Sequence, residues 1–563
     1  MKQLVINKIK YYLKNYWIEI LALTVAVLHC FLLNVMIKGH DITMTSARIV
    51  SLAENMRELK FPLYLDLKQL DGYGTLDFVF YPYLFSYIPA IIYLVTNNIN
   101  LAINLYIVFI VMMMFYIMYI SVKTIYKNKQ TALIAAIIYT LSYYNMWNIY
   151  VRAAFGEMIA ISFIPLLAAG IYNLIFDEHK ERDKSYYIII AYTGIIQSHV
   201  ITSFYITILT FIVFAISIKK IFKNKIYITL IKDFLLVLVM NIGFIYPFVV
   251  NYFFNNVKVS RTVLPLKSKS VFNIFNKIPG TVSFWSYKGV EKGYVSSLSY
   301  LELAFLIFCI VMILRNYKKE KYSETMRINL AFMAIFVLHV INYLHRLKIY
   351  YKIDLLYKIF SFQQFNYREL GRGLPFLIMV TAYFITRFID NKPKKLILTL
   401  LVVLNVYGII RNEVFEEGGF IFRTTELPKI SILDAWEDYV PIDVHENSRE
   451  LTDVDSESRI SNVRLNKDNL EFEFDSFNVR NTKFVLPRYY FKGYYKLYIN
   501  GKESEFTVED DKIVINTKAR KGNVKLKYIK PIGFVITYII SVLSSLVAVG
   551  YYIINKFKKM KFS

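Results

Sequence analysis

Apolar runs of about membrane-spanning length recur along most of this chain, and no other feature limits its possible folds as strongly. About 20 apolar residues in a helix are enough to cross the hydrocarbon core of a bilayer. Hydrophobic residues make up 56% of the 563 residues, which is too much apolar sequence for a single soluble domain of this length. The sequence therefore predicts a polytopic α-helical membrane protein.

The apolar runs predict about twelve transmembrane helices. They are placed at residues 17–37, 101–122, 131–148, 158–176, 186–197, 201–218, 234–254, 301–314, 328–344, 374–388, 396–410 and 532–554. Segment 80–95 is also apolar, but it contains Pro82, Pro89 and several tyrosines. We expect it to be an interfacial or re-entrant piece instead of a span.

The basic residues indicate how the chain is oriented in the membrane. A net charge of +25 would suggest a nucleic-acid partner in a soluble protein. Here the lysines and arginines lie mainly in alternate short loops and in the C-terminal tail, as the positive-inside rule requires. Both termini are therefore predicted to be cytoplasmic, and no nucleic-acid partner is expected. The two cysteines, Cys30 and Cys309, lie in apolar segments and indicate neither a disulfide framework nor a metal site.

This topology brings several polar segments to the extracytoplasmic side. They are Asp41, which follows the first span, and the segments 152–157, 197–199 and 363–368. Ionisable groups at a membrane rim are costly to hold there and are functional candidates by default. One shared site on the extracytoplasmic face is favoured over four separate helix caps.

The sequence predicts three regions. Residues 1–410 form the membrane domain with an outer loop at 38–100, and residues 531–563 form the last helix with a basic cytoplasmic tail. Residues 411–530 are polar and extracytoplasmic, and Leu470–Phe474 alternates with the period of a half-buried strand. Asn500-Gly501 between the strand-like runs Tyr494–Ile499 and Ser504–Val508 predicts a hairpin with a type I′ turn. We expect a small antiparallel β domain with the architecture of a sandwich before the last helix.

Several motifs, taken in order, resemble those of a known family. The Asp41–Arg48 stretch, Gly72-Tyr73-Gly74 and Arg152-Ala153-Ala154-Phe155-Gly156-Glu157 are followed by Gln197-Ser198-His199 and Gln364-Phe365-Asn366-Tyr367-Arg368. Together they resemble bacterial YfhO-type membrane proteins, which belong with those labelled pyruvoyl-tetrahydropterin synthase-related and are placed in the GT-C glycosyltransferase fold. The chain departs from the family at Thr45, where a histidine is often found, and at Asn366 and Tyr367, where Pro and Trp are usual.

The resemblance implies a GT-C-like enzyme of the bacterial plasma membrane. Such an enzyme moves a sugar from a polyprenyl-phosphate donor to an envelope polymer or lipid acceptor, such as teichoic or lipoteichoic acid, on the extracytoplasmic side. Asp41 would be the general base, and Arg152, His199 and Arg368 would contact the lipid phosphate. Glu157 would orient Arg152, or hold a divalent cation with Asp41 if one is used. The supporting residues would be His40, Arg48, Gln197 and Gln364.

Each of these residues also has an ordinary structural explanation. Asp41 could cap the following helix, Arg152 and Glu157 could be a structural ion pair, and His199 could simply bond a carbonyl group. Arg368 could snorkel to the lipid headgroups. At the level of function, the alternatives are a lipid or polysaccharide transporter or flippase, and a non-catalytic envelope assembly protein. A transporter should show two related halves with interrupted helices, and the sequence shows none.

Overall fold

The computed structural model describes residues 17–31, 36–37, 41–177, 185–255, 257–261, 300–320, 323–343, 352–365, 367–389, 421–422, 439–441, 452–453, 458–466, 468–476 and 482–561. The chain divides into two compact units. The first unit comprises Met1–Ser46, Leu84–Leu235 and Val263–Pro428, and the second comprises Ala47–Tyr83, Leu236–Thr262 and Lys429–Ser563.

The first unit is built almost entirely of helices. Its α-helices are Trp17–Phe31, Tyr87–Thr96, Ile99–Tyr126, Lys129–Thr140, Tyr143–Trp147, Phe155–Ser162, Ile164–Ile171, Tyr186–Ile196, Val200–Ile216, Ile218–Lys223, Tyr300–Glu320, Glu324–Tyr343, Asp354–Ser361 and Arg368–Phe388. Two π-helical turns, Asn148–Arg152 and Tyr172–Phe176, extend neighbouring helices. Two short strands, β1 (Met36–Ile37) and β2 (Ile421–Phe422), pair antiparallel. The helices Ile42–Arg57 and Ile226–Phe254 begin in the first unit and end in the second.

Within the described part of the chain, five helical segments are long and apolar enough to cross a membrane. They are Ile99–Tyr126, Phe155–Phe176, Ile226–Phe254, Glu324–Tyr343 and Ile532–Tyr552. They confirm the coarse prediction of a membrane protein with several apolar helices, while the number twelve stays a prediction and the expected span at 396–410 lies outside the described residues. In segment 80–95 the structure has the helix Tyr87–Thr96 of 10 residues. Such a helix is about 15 Å long, about half the thickness of the hydrocarbon core.

The predicted span at 131–148 is not one continuous helix. The helix Lys129–Thr140 ends and a second helix, Tyr143–Trp147, begins after Ser142. Both the Ser142 hydroxyl and the Asn145 side-chain amide donate to the backbone carbonyl oxygen of Tyr139, over 2.9 and 2.7 Å. These polar side chains replace backbone donors at the end of the first helix, which explains the break.

The second unit contains a two-sheet antiparallel β structure. Its strands are β3 (Thr452–Asp453), β4 (Ser458–Asn466), β5 (Asn469–Ser476), β6 (Thr482–Tyr489), β7 (Tyr495–Ile499), β8 (Lys502–Ser504), β9 (Thr507–Glu509), β10 (Lys512–Thr517) and β11 (Lys521–Tyr528). One sheet has the order β4-β5-β11-β7-β8 and the other β3-β6-β10-β9. The unit also contains the helices Asp77–Phe80, Lys258–Arg261 and Ile532–Lys561 and the 3₁₀ turn Leu70–Gly72. The predicted antiparallel β domain is confirmed.

Alternating side chains of these strands form the core of the β structure. Along β5, Leu470, Phe472 and Phe474 are buried while their neighbours are not, as the period-two pattern predicted. The rings of Phe472 and Phe474 lie 5.4 and 5.0 Å from the ring of Phe484 on β6. The aromatic side chains of the two sheets therefore meet in one apolar core.

The predicted hairpin turn is present, but one strand is bounded differently. Asn500 and Gly501 both have positive φ, 51° and 77°, which the first and second central positions of a type I′ turn require. We expected the returning strand to continue through residue 508, but β8 ends at Ser504 and β9 pairs with β10 in the other sheet. The chain changes sheets at this point, which a local pattern cannot indicate.

Candidate functional site

Glu157 is the centre of a buried group of charged side chains in the first unit. Its Oε2 accepts hydrogen bonds from Arg152 Nη1 over 2.8 Å and from Arg368 Nε over 3.0 Å. Its Oε1 accepts from the Tyr144 hydroxyl over 2.6 Å. The exposed fractions are 2% for Glu157, 4% for Arg152 and 7% for Arg368. We call Glu157, Tyr144, Arg152 and Arg368 together the Glu157 cluster. Ions removed from water to this degree need partners, and the carboxylate supplies one to both arginines.

The local backbone brings Arg152 and Glu157 together. Arg152 is the last residue of the π-helical turn Asn148–Arg152, and Ala153 ends that turn in the left-handed region, with φ of 55°. The next helix begins at Phe155, which places Glu157 in its first turn, where the helix dipole favours a negative charge. The Asn148 side-chain oxygen accepts from Arg152 Nη1 over 2.7 Å and holds the guanidinium in place. The ion pair between Arg152 and Glu157, which are five residues apart in the sequence, therefore depends on the break between the two helices.

Arg368 is positioned by the turn that precedes its own helix. It is the first residue of the helix Arg368–Phe388. Its Nη1 donates to the Gln364 side-chain oxygen over 2.8 Å and to the Gln363 carbonyl oxygen over 3.2 Å. Gln364 has a positive φ of 63°, so this turn holds a left-handed residue that is not glycine. Gln364 thus contacts Arg368 directly, and its supporting role in function stays a prediction.

Aromatic rings flank the two guanidinium groups. Arg152 Cζ lies 5.4 Å from the Trp147 ring centroid and 4.9 Å from that of Tyr367. Arg368 Cζ lies 5.3 Å from the Phe365 ring centroid. Rings at these distances attract the cations through their faces and keep water from them. The donors that the guanidinium groups retain are therefore held in a partly desolvated setting.

The Glu157 cluster carries more positive than negative charge. Two guanidinium groups face one carboxylate, which leaves a formal charge of 2 − 1 = +1. Arginine offers five donors in a planar fork that matches the oxygens of phosphate or carboxylate. An excess of guanidinium charge at low solvent exposure is suited to binding an anion.

Asp41 is joined to this cluster through the main chain. Its backbone N–H donates to the carbonyl oxygen of Arg152 over 2.8 Å, and its own carbonyl oxygen accepts from Thr45 N at the start of the helix Ile42–Arg57. Its half-buried carboxylate forms no hydrogen bond or ion pair with the residues that the structure describes. A side-chain cap is thus not formed there. Burial, with the negative charges of Glu157 and Asp41, raises the pKa of Tyr367 to about 12, against the opposing effect of Arg152 and Arg368.

His199 is buried next to the same charges and is neutral. Burial lowers its pKa to about 3, and the positive charges of Arg368, Arg152 and Arg372 act in the same direction. The backbone N–H of Thr202 donates to His199 Nδ1 over 3.2 Å, so the ring caps the helix Val200–Ile216. Because Nδ1 is an acceptor, the neutral ring carries its proton on Nε2. His199 can therefore offer one N–H donor to an anion, but not the cationic charge that the sequence suggested.

Of the other predicted supporting residues, Arg48 and Gln197 are described and are not members of the Glu157 cluster. Arg48 forms a bidentate pair with Asp77 in the second unit, with both N–O distances 2.7 Å, and its guanidinium lies 3.7 Å from the Tyr81 ring centroid. Gln197 follows the helix Tyr186–Ile196, and its backbone N–H donates to Thr193 O. His40 lies outside the described residues.

The described residues of the site do not fit a divalent cation. Both oxygens of Glu157 accept from Tyr144, Arg152 or Arg368, so of the two acidic residues considered for a cation only Asp41 has its carboxylate available. Among the residues that the structure describes, no three His, Cys, Asp or Glu side chains are grouped so that they could hold a metal ion. Glu157 is better suited to the other role considered for it, which is to orient Arg152.

Sequence reasoning missed several members of this region. Tyr144 and Asn148 gave no signal because tyrosine and asparagine are common at membrane interfaces. Glu369 and Arg372 follow Arg368 within one helical turn and are buried with it, with exposed fractions of 1% and 0%. Their signal was present, since three charged residues opening an apolar helix are costly.

Comparisons with known proteins add little to this description. No protein-family model and no curated protein matches the chain. ArnT from Cupriavidus metallidurans bound to undecaprenyl phosphate is 10% identical, with a TM-score of 0.32, covering 65% of this chain and 76% of that chain. The same protein in the apo state is 10% identical, with a TM-score of 0.34, covering 66% and 77%. At these TM-scores the likeness carries no argument, and the resemblance to YfhO-type proteins stays an expectation from the sequence.

Proposed function

We propose that this protein is a membrane glycosyltransferase that moves a sugar from a polyprenyl-phosphate donor to a cell-envelope acceptor, such as teichoic or lipoteichoic acid, on the extracytoplasmic side. The observation that carries the proposal is a carboxylate with no partner among the described residues, whose main chain is bonded to an excess of guanidinium charge. Asp41 is bonded through its backbone to Arg152, and Arg152 shares Glu157 with Arg368. This main-chain bond supports a reaction in which the base and the anion site act on one donor.

The proposed reaction uses these groups in separate roles. Asp41 accepts the proton of the acceptor hydroxyl while the acceptor oxygen forms a bond to the anomeric carbon of the sugar. The bond between that carbon and the phosphate oxygen breaks, and the lipid phosphate leaves with the electron pair. Arg152 and Arg368 stabilise the negative charge that develops on the phosphate, and the His199 Nε2–H adds a neutral donor. Glu157 fixes the two arginines and takes no proton.

Several features of the chain support this assignment over a soluble activity. Five helices among the residues that the structure describes are long and apolar enough to cross a membrane, which suits a donor with a polyprenyl chain. Arg152, Glu157 and Arg368 are buried, so an anion bound there would be partly shielded from water, where charge-assisted hydrogen bonds are strong. The motifs that resemble YfhO-type proteins point to the same donor class.

The test is a transfer assay with the full-length protein in liposomes. A radiolabelled polyprenyl-phosphate sugar and extracted envelope acceptors would be supplied, and Asp41→Asn would be compared with the wild type after equal folding is verified. Transfer by the wild type and its loss in Asp41→Asn is the expected result. No transfer with any donor, together with movement of labelled lipid across the bilayer, would refute the enzyme and favour a transporter.

A further inference from the structure

A second group of buried charges lies on the same helix as Arg368. Glu369 Oε2 is 2.6 Å from His339 Nδ1, and Glu369 Oε1 is 2.9 Å from Arg372 Nη2. The exposed fractions are 5% for His339, 1% for Glu369 and 0% for Arg372. None of these three residues has a role in the proposed reaction as described so far, and groups this costly to bury call for an explanation.

Arg372 has hydrogen-bond donors without a partner among the residues that the structure describes. Its Nε and Nη1 atoms form no hydrogen bond with those residues, and Nη2 lies 2.9 Å from Glu369 Oε1. The Tyr205 ring lies 4.4 Å from the guanidinium carbon, and that contact takes none of the N–H donors. Leaving buried donors unpaired costs free energy, so the arrangement suits a group that binds something else.

The position of Arg372 relates it to the Glu157 cluster. Arg368 and Arg372 are four residues apart on one helix, so they lie on the same face one turn apart. His199 is affected by the charges of both. Arg368 donates from Nε to Glu157 and from Nη1 to Gln364 and Gln363. Among the described residues, Arg372 directs only Nη2 at a partner, the Glu369 carboxylate. Counted together, three guanidinium groups and two carboxylates leave 3 − 2 = +1.

We propose that Arg372 is a further phosphoryl-binding residue of this site and adds its donors to those that Arg152 and Arg368 retain. Glu369 and His339 act through it as positioning residues: His339 holds one oxygen of Glu369, and the other oxygen holds Arg372. This inference rests on the proposed function, which brings a lipid phosphate to Arg368. The ligand chemistry is a phosphoryl group, carried either by a polyprenyl lipid or by free phosphate.

Binding of undecaprenyl phosphate and of inorganic phosphate to the full-length protein in detergent would test the proposal. Arg372→Gln should weaken undecaprenyl phosphate binding at least about tenfold, since it removes charge-assisted hydrogen bonds. The matched control is Arg387→Gln, on the same helix, where Arg387 pairs with Glu320 over 2.6 Å at a more exposed position; its affinity should be unchanged. If Arg372→Gln weakens the affinity for free phosphate by the same factor as the affinity for the lipid, the phosphoryl group alone is recognised. If only the affinity for the lipid falls, recognition requires the lipid.

A second variant separates binding from a structural role. Glu369→Gln leaves Arg372 in place and removes its counter-charge, so it should bind undecaprenyl phosphate several-fold more tightly than the wild type. If Arg372 only neutralised Glu369, Glu369→Gln would leave affinity unchanged and Arg372→Gln would lower the melting temperature without affecting binding, which would overturn the inference. Should Arg372→Gln fail to fold, Arg372→Lys keeps the charge without the fork and should still lose affinity several-fold.

Arg368→Gln distinguishes failure of this inference from failure of the proposed function. Lost binding in Arg368→Gln with normal binding in Arg372→Gln would overturn the inference alone. Absence of undecaprenyl phosphate binding in the wild type would overturn both. Reduced binding in both variants is the expected result.

Discussion

The backbone N–H of Asp41 donates to the carbonyl oxygen of Arg152 over 2.8 Å. A main-chain bond fixes the distance between the segment that carries the carboxylate and the segment that carries the guanidinium more tightly than a side-chain contact would. The pairing of base and anion site in the proposed reaction depends on this bond, and it joins residues that are far apart in the sequence.

Asp41→Asn should lower the rate of sugar transfer by about a hundredfold or more, because a general base contributes roughly that factor. The melting temperature should not change, since the Asp41 carboxylate bonds none of the described residues. Initial rates and thermal unfolding of the same preparation give both quantities. Asp41→Glu, which keeps a carboxylate, should retain part of the activity. A fully active Asp41→Asn protein would place the base elsewhere.

Glu157→Gln should destabilise the protein by about 3–5 kcal/mol, because it leaves Arg152 and Arg368 buried without a counter-charge. The matched control is Glu320→Gln, which removes the partner of Arg387 at a more exposed position and should cost no more than about 1 kcal/mol. Unfolding by SDS titration in mixed micelles measures both. Equal, small effects for the two variants would show that the Glu157 cluster is not desolvated.

His199 should make stability fall as the solution becomes acidic. Its pKa is about 3 in the folded protein, against 6.5 as the ordinary value, chiefly because it is buried. The unfolded chain therefore binds the proton first, so the stability is fully present above about pH 6.5 and is lost as the pH falls toward 3. The expected slope approaches about 1.4 kcal/mol per pH unit below pH 6.5.

His199→Asn provides the control for this pH dependence. Asparagine can still cap the helix Val200–Ile216 but does not titrate. The free energy of unfolding, measured from pH 7.5 to pH 5, should decrease more steeply for the wild type than for His199→Asn. Parallel curves would mean that His199 is accessible to protons in the folded state.

Arg48→Lys should destabilise the second unit although it keeps the positive charge. Lysine cannot reproduce the bidentate contact with Asp77 or the stacking on Tyr81, and we expect a loss of about 1–3 kcal/mol. Limited proteolysis of the segment 60–76 gives a local readout. Arg459→Lys, at an exposed position on β4, should cleave like the wild type; equal protection of Arg48→Lys would show that the charge alone suffices.

Gly501→Ala should destabilise the protein by about 1 kcal/mol through the backbone alone. Gly501 has φ of 77°, and a Cβ atom there would meet nothing within 4 Å. Gly550→Ala is the control, because it lies in the helix Ile532–Lys561 and is equally unobstructed; alanine should be neutral or slightly stabilising there. Thermal unfolding separates the two, and a neutral Gly501→Ala would indicate that the turn relaxes.

Local patterns were sufficient for some elements and insufficient for others. The alternation of Leu470, Phe472 and Phe474 and the Asn500-Gly501 turn are short-range signals, and both predictions are confirmed. Two predictions were wrong: the returning strand of the hairpin ends at Ser504, and the helix expected to run through 131–148 breaks after Thr140. The first depends on pairing of β9 with β10, and the second on side chains that bond the Tyr139 carbonyl oxygen. Neither interaction produces a periodic pattern of residues that could be recognised in the sequence.

The sequence by itself determined the membrane character and the β structure before the last helix. It also identified the charged residues beside apolar segments whose removal from water costs too much free energy to lack a function or a partner. These follow from burial of apolar surface and from the cost of moving charge out of water, both of which depend on residue type and spacing. Only the tertiary structure decided which charges meet. Arg48 forms an ion pair with Asp77, and Arg152 and Arg368 both form ion pairs with Glu157. The Asp41 carboxylate has no partner among the described residues. Electrostatic pairing acts over a few ångströms, and only folding brings residues as distant in sequence as Glu157 and Arg368 within that range.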